Sequence, residues 1–177
     1  MKYDFDNQQF EQIGASYTYF KQELLPQLPY IEKKSITKGT PVVQHDQVCI
    51  IYVKKGEGTF WANGQTHAIV PGFTCVLYFY NFYQLIPNES DTLETITITM
   101  DYRSFLYMYG MFHNFDSWMD NSQELIFCYM TDENQKLCEN ILQKICQSKE
   151  DTFWINLEKL YGVTELYARI LRQFLNQ

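Results

Sequence analysis

The chain has 177 residues, enough for one domain of ordinary size with or without a helical appendage, and at 46% hydrophobic and 20% charged it can bury a real core. Its formal net charge is −7 with only 14 Lys plus Arg, so it lacks the basic footprint that neutralises phosphates and is a poor nucleic-acid binder on its own. Met1 to Asn7 is polar and acidic, unlike a signal peptide, and no run of about 18 apolar residues occurs, so a cytoplasmic protein without a membrane span is expected.

Gln8 to Phe20 reads either as partly helical or as an extended arm, and Pro26 and Pro29 bracket a turn after it. From Ile31 to Met100 the texture is short β-type runs separated by turn chemistry. Gln47 to Lys54 is β-branched and apolar, and Gly56-Glu57-Gly58 breaks it as a turn or bulge. Thr59 to Ala62 pairs with Gln65 to Val70 through Asn63-Gly64, a dipeptide that accepts the positive φ angles of a tight hairpin. Pro71-Gly72 makes the next turn, and Thr74 to Tyr80 reads as a strand buried on both faces. Tyr83 to Ile86 follows, then a polar loop from Pro87 to Asp91. Leu93 to Met100 alternates strictly, with Thr95, Thr97 and Thr99 on a polar face and Ile96, Ile98 and Met100 on an apolar one. Many short strands at regular spacing predict a barrel or sandwich.

Beyond Asp101 the pattern turns helical. Tyr102 to Phe112 suits a short helix, and Asp132 to Gln147 a longer one, with Thr131 or Asp132 as its cap. In Asp151 to Asn176 the residues Phe153, Leu157, Leu160, Thr164, Tyr167, Leu171 and Phe174 alternate spacings of four and three, which is a heptad seam, widened by Trp154, Tyr161, Ile170 and Leu175. Leu157, Leu160, Thr164, Tyr167, Leu171 and Phe174 are the predicted dimer contacts.

Reactive chemistry is sparse. The five cysteines, Cys49, Cys75, Cys128, Cys138 and Cys146, form no CxxC pair, and free, mostly buried thiols in a reducing compartment are expected. His45, His67 and His113 form no HxH or HxxxH pair, so no metal and no other cofactor is expected. His45 falls in a loop before a strand, and His67 on a surface or strand position after the hairpin. No nucleophile elbow, activated cysteine or carboxylate pair can be picked out, and the chain is not expected to be an enzyme. What remains is a set of rings and hydroxyls in or beside the strands. Tyr52, Trp61, Tyr78 and Tyr80, with Gln84, Thr95 and Thr97, are the predicted ligand-binding residues, since stacking rings with a few polar groups suit a small neutral ligand such as a sugar. Each serves a core equally well, and the period of two does not say which face looks inward.

Ile50 to Pro87 resembles the cupin-like sensor domain of AraC-type transcriptional regulators. The shared pattern is an apolar strand (Ile50 to Val53), a glycine (Gly56), a hairpin (Asn63-Gly64), Pro71-Gly72 and a hydrophobic strand running into Val76 to Gln84. The later strand entering Thr99 to Phe105 and the leucine-rich final helix extend the likeness over roughly residues 30 to 176. Where the family often has histidine after the Pro-Gly strand this chain has Tyr83 and Gln84, and its usual aspartate after Pro-Gly is Phe73.

The resemblance implies a mainly β (α+β) fold, a cupin-like double-stranded β-helix or jelly-roll barrel followed by C-terminal α-helices. Residues 1–30 would be an arm or short helix, 31–100 the barrel, and 101–177 a helical dimerisation region packed on it. It also implies a small-molecule effector and a homodimer through the C-terminal helix. DNA would be reached only through a helix-turn-helix domain absent from this chain, which is therefore expected to be either a sensor domain cut from a longer protein, the favoured reading, or a stand-alone one. Two alternatives stand beside this reading. One is a cupin-fold enzyme, an isomerase or dioxygenase, which the scattered histidines disfavour. The other is a cyclic-nucleotide sensor, suggested by Leu24 to Gly39 and disfavoured because no phosphate-binding cassette follows Pro71-Gly72.

Overall fold

The computed structural model describes residues 29–101, 104–105, 125–147 and 153–176. Among them are nine strands and two helices: β1 (Tyr30–Ile36), β2 (Val43–Gln44), β3 (Val48–Lys55), β4 (Gly58–Ala62), β5 (Gln65–Ile69), β6 (Phe73–Leu77), β7 (Phe82–Pro87), β8 (Leu93–Met100), β9 (Ile126–Tyr129), α1 (Asp132–Gln147) and α2 (Phe153–Leu175). The arm expected over residues 1–28, and the helix expected over Tyr102 to Phe112 apart from Ser104 and Phe105, lie outside the described residues.

All pairings are antiparallel, in two sheets ordered β1-β8-β3-β6-β9 and β2-β7-β4-β5. The sheets face each other as the halves of a cupin-like barrel. Local chemistry explains most joints. Asn63 (φ 47°) and Gly64 (φ 84°) form the left-handed two-residue turn that sets Ala62 opposite Gln65. At Gly56 φ is 92°, and a Cβ there would run into the backbone carbonyl of Thr92, so the break after β3 needs glycine.

Two expectations are corrected in this stretch. The strand read as Thr74 to Tyr80 ends at Leu77. The Asn81 side chain accepts the Tyr78 N–H at 2.6 Å while the Asn81 N–H bonds the Tyr78 carbonyl at 2.9 Å, which turns the chain away from the sheet. The region 101–177 is also not wholly helical, because β9 completes the five-stranded sheet against β6. Its four residues are too short to show a period.

The five-stranded sheet is covered on both faces, so the molecule has two cores. Cys49, Ile51, Val53, Phe73, Cys75, Leu77 and Leu93 meet Phe60, Ala62, Tyr83 and Leu85 between the sheets. The opposite parity, Val48, Ile50, Tyr52, Val76, Ile96, Ile98, Met100 and Cys128, packs under Leu142, Val163, Leu166, Tyr167 and Ile170 of the helices. Both faces of β8 are therefore covered: Thr95 and Thr97, on its polar face, look into the barrel and are 2% and 9% exposed. Thr131 caps α1, its Oγ1 accepting the Asn134 N–H at 3.4 Å and its carbonyl the Gln135 N–H at 2.8 Å. No helix among the described residues is long and apolar enough to cross a membrane.

Candidate ligand-binding cleft

A sandwich of two open sheets has two lateral seams, and this chain treats them differently. At one, β5 and β9 approach through rings. His67 lies 4.2 Å from Phe127 between ring centroids, and the Tyr129 hydroxyl donates to the Ala68 carbonyl at 3.0 Å. At the other, the edge strands β1 and β2 are not hydrogen-bonded to each other, and a cavity of about 510 Å³ opens between them. That volume is in the range of small-molecule sites.

The cleft has unlike walls. Tyr30, Glu32, Lys34 and Ile36 of β1 are in register with Thr99, Thr97, Thr95 and Leu93 of β8, so their inward faces form one surface with a row of three threonines. The facing wall carries Pro41, Val43, His45, Tyr83 and Leu85, with Ile51 at the base. It is held by Thr40. The Thr40 N–H donates to the Leu85 carbonyl at 2.9 Å, its Oγ1 accepts the Leu85 N–H at 3.0 Å, and its carbonyl accepts Gln84 Nε2 at 2.6 Å.

The polar groups of the cleft are mostly satisfied. His45 Nε2 and the Tyr83 hydroxyl are 2.8 Å apart. Burial pushes the Tyr83 phenol up, so it stays protonated at neutral pH and can bond either imidazole tautomer. Glu32 and Lys34 pair at 2.9 Å at the rim, where both side chains are well exposed, and such a pair contributes at most about 1 kcal/mol. Cys49, a hydrogen-bond partner of Thr99, is pushed up to about 12 by burial and is no nucleophile at neutral pH. Thr95 is the exception: its Oγ1 is buried and has no hydrogen-bond partner.

Of the seven residues predicted to bind ligand, the cleft brings together Thr95 and Thr97. Tyr52 and Tyr78 belong to the other core: the Tyr52 hydroxyl donates to Glu139 of α1 at 3.3 Å, and the Tyr78 hydroxyl lies 3.1 Å from that of Tyr167 of α2. Tyr80 stacks on Tyr78 at 5.5 Å, outside the barrel. Trp61 and Gln84 are cross-strand partners on the outer face of the smaller sheet, set by Phe60, Ala62, Tyr83 and Leu85 pointing inward. For Tyr52, Trp61 and Gln84 strand parity decides the face, whereas Tyr78 and Tyr80 follow the end of β6 and lie in the turn beyond it. Tyr83, His45, Leu85 and the β1 residues were not predicted as ligand contacts. Only His45, read in a loop before a strand, carried any signal.

The closed seam has a pH consequence. His67 Nε2 is shielded from water without a partner, and burial lowers the imidazole below its ordinary value. Phe60 and Phe127 face it, from β4 and β9, and Phe127 in turn meets Tyr129, whose phenol burial pushes up. A depressed histidine binds fewer protons folded than unfolded. Stability is therefore complete at neutral pH, begins to fall as pH drops through the ordinary histidine value, and stops falling below the lowered one. Thermal unfolding between neutral pH and about pH 5 should show that loss in the parent and a smaller one in His67→Phe, whereas an equal loss in both would remove His67 as its cause.

Residues 25–106 match the family model described as the AraC-like ligand binding domain. Over these residues the barrel is similar to AraC-like ligand-binding domains. No curated protein matches the chain. Among solved structures, the AraC-like domain and its helices are similar to apo ToxT K231A from Vibrio cholerae, at 9% identity and a TM-score of 0.63, over 84% of this chain and 57% of that one. Wild-type ToxT from the same organism with an unsaturated fatty acid bound superposes with a TM-score of 0.60 at 10% identity, over 84% and 56%. ToxT bound to (E)-4-(8-methylnaphthalen-1-yl)but-3-enoic acid gives 0.56 at 5% identity, over 84% and 58%. The chain thus spans less than three-fifths of the length of the ToxT chains it matches. Among the described residues no group of three His, Cys, Asp or Glu is placed to hold a metal.

Proposed function

We propose that this AraC-like domain binds a small-molecule effector in the cleft between β1 and β2 and, without chemical turnover, controls DNA binding by a further domain of the whole protein. The observation that carries the reading is the open seam itself, a cavity of about 510 Å³ in which a threonine row faces Pro41, Val43, Leu85 and the paired His45 and Tyr83. β8 links it to the helices: Thr95 and Thr97 face the cleft while Ile96 and Ile98 pack under α1 and α2, so a ligand that moves β8 acts on both faces. The effector works only if its affinity differs between two arrangements of the helices.

A neutral, hydroxyl-bearing effector of sugar-like character is the leading class. Its support is the threonine row, since Tyr52 and Tyr78 are not available for stacking. An amphipathic carboxylic acid is the second, and the fatty-acid complex of the similar ToxT favours it. Homodimerisation belongs to the same proposal. Leu157, Tyr161 and Leu175 are exposed, and with Thr164, Ala168 and Leu171 they follow the spacing four, three, four, three, four along the outward side of α2. A cytoplasmic location completes the reading, supported by the buried free thiols Cys49, Cys75, Cys128 and Cys138.

Thermal shift of the purified chain against sugars, fatty acids, cyclic nucleotides and divalent metals tests it. A class that binds the folded state at about 100 times its Kd adds about 2.7 kcal/mol of stability, a rise of several degrees. A shift by a sugar or a fatty acid supports the sensor reading and chooses between the two classes. Shifts confined to metals would replace it with the enzyme reading, and shifts confined to a cyclic nucleotide with the third.

A further inference from the structure

Buried polar atoms in folded proteins are almost always hydrogen-bonded, and a buried one without a partner asks for an explanation. Three such side-chain atoms occur among the described residues, on His67, Asn81 and Thr95. His67 belongs to the ring-packed closed seam, and Asn81 to a turn that already uses its Oδ1. Thr95 alone lines the open cleft. Its hydroxyl is placed by the middle of a continuous strand, between Lys34 on β1 and Val53 on β3, and is therefore held rigidly rather than by a loop.

Charge narrows what can meet it. Among the described lining residues the one lysine, Lys34, is already paired with Glu32 at 2.9 Å, and the one imidazole, His45, is already bonded to Tyr83 at 2.8 Å. An anionic group brought to the depth of Thr95 would lose its hydration without gaining an uncommitted positive partner. A neutral group loses much less and gains the hydroxyl bond.

Resting on the effector reading above, we propose that Thr95 is the specificity-determining residue of the cleft. The group it reads is the uncharged hydrogen-bonding end of an amphipathic effector, a hydroxyl or carbonyl rather than a carboxylate or phosphate. Thr97 stands beside it as a second hydroxyl, and the apolar body of the ligand lies on Val43, Leu85 and Ile36.

The proposal makes stability and affinity move in opposite directions. Thr95→Val keeps the branched shape and removes the hydroxyl. The ligand-free variant should melt at or above the parent temperature, because a hydroxyl with no partner is replaced by a methyl group. Decan-1-ol and decanoate serve as probes of equal chain length that differ in head-group charge. The alcohol should bind the parent more tightly than the acid, and Thr95→Val should lose about tenfold in affinity for the alcohol, while Thr95→Ser keeps most of it.

A ligand-free Thr95→Val that melts about 4 °C or more below the parent overturns the proposal, since the hydroxyl would then be serving the fold. Tighter binding of decanoate, or equal alcohol binding by parent and Thr95→Val, overturns it as well. If neither probe binds, nor any class in the screen above, the effector reading fails. The melting comparison still decides the separate claim that the fold gains nothing from this hydroxyl.

Discussion

Tyr167→Asp is expected to unfold the helical layer rather than merely to separate a dimer. Tyr167 was predicted at the centre of a dimer seam, but it is 1% exposed and faces inward. Its hydroxyl bonds that of Tyr78, and its ring stands edge-on to Phe105 at 5.3 Å, with Val163, Leu166 and Ile170 fully buried around it. The substitution removes an aromatic ring from a closed core and puts a carboxylate there. The two effects together cost about 4 kcal/mol or more, a large part of the total stability of an ordinary domain. Urea unfolding followed by circular dichroism should show a much lower midpoint or no cooperative transition.

The contrast with Tyr161 makes this decisive. Tyr161 is 70% exposed on the outward stripe of α2. Tyr161→Asp should leave the unfolding free energy from the urea transition within about 0.5 kcal/mol of the parent while raising the dimer dissociation constant in sedimentation equilibrium. Leu157 and Leu175 share that side with it, whereas Leu160, Leu171 and Phe174 lean on the core. A folded, monomeric Tyr167→Asp protein with the parent midpoint would restore Tyr167 to the dimer seam and refute the packing described above.

Phe60→Ala carries the second large effect. Phe60 is fully buried between the sheets, 5.2 Å from the Phe73 ring and 6.2 Å from that of Tyr83. It belongs to the core that the two β-sheets close between them. The expected loss is about 3–5 kcal/mol. Phe82, on the neighbouring strand but 47% exposed, provides the control, and Phe82→Ala should change stability little. Equal midpoints for the two variants would mean that the inter-sheet core is not where the barrel gains its stability.

Much of the architecture was legible because it is encoded over short distances. Asn63-Gly64 specifies its turn through two backbone angles. Leu93–Met100 shows its period over eight residues, and Asp132–Gln147 shows both its stripe and its cap. The missed elements are those with little room for a pattern: β2 with two residues and β9 with four. The polar edge strand β1, where Glu32, Lys33 and Lys34 follow one another, carries charge that protects an edge and hides the strand from a hydrophobicity reading.

The ligand-binding residues were less legible for a different reason. In β3 every residue from Val48 to Val53 is buried, so the two faces of the strand are equally apolar and the pattern cannot say which one lines the barrel. The heptad in α2 has the same ambiguity. The stripe containing Tyr167 packs on the sheet, and the stripe one step round the helix containing Tyr161 faces out.

By itself, then, the sequence determined where most of the longer strands and the two C-terminal helices form, that they build a cupin-like barrel with C-terminal helices, and that Thr95 and Thr97 share one side of their strand. Only the tertiary structure decided that this side looks into a cleft, that Tyr52 and Tyr78 lie under the helices instead, and that Tyr167 belongs to the core. The physical reason is that alternation is a local property and facing is a long-range one. The face of β3 and β8 covered by α1 and α2 is set by helices that come more than thirty residues later in the chain, and what remains uncovered becomes the site.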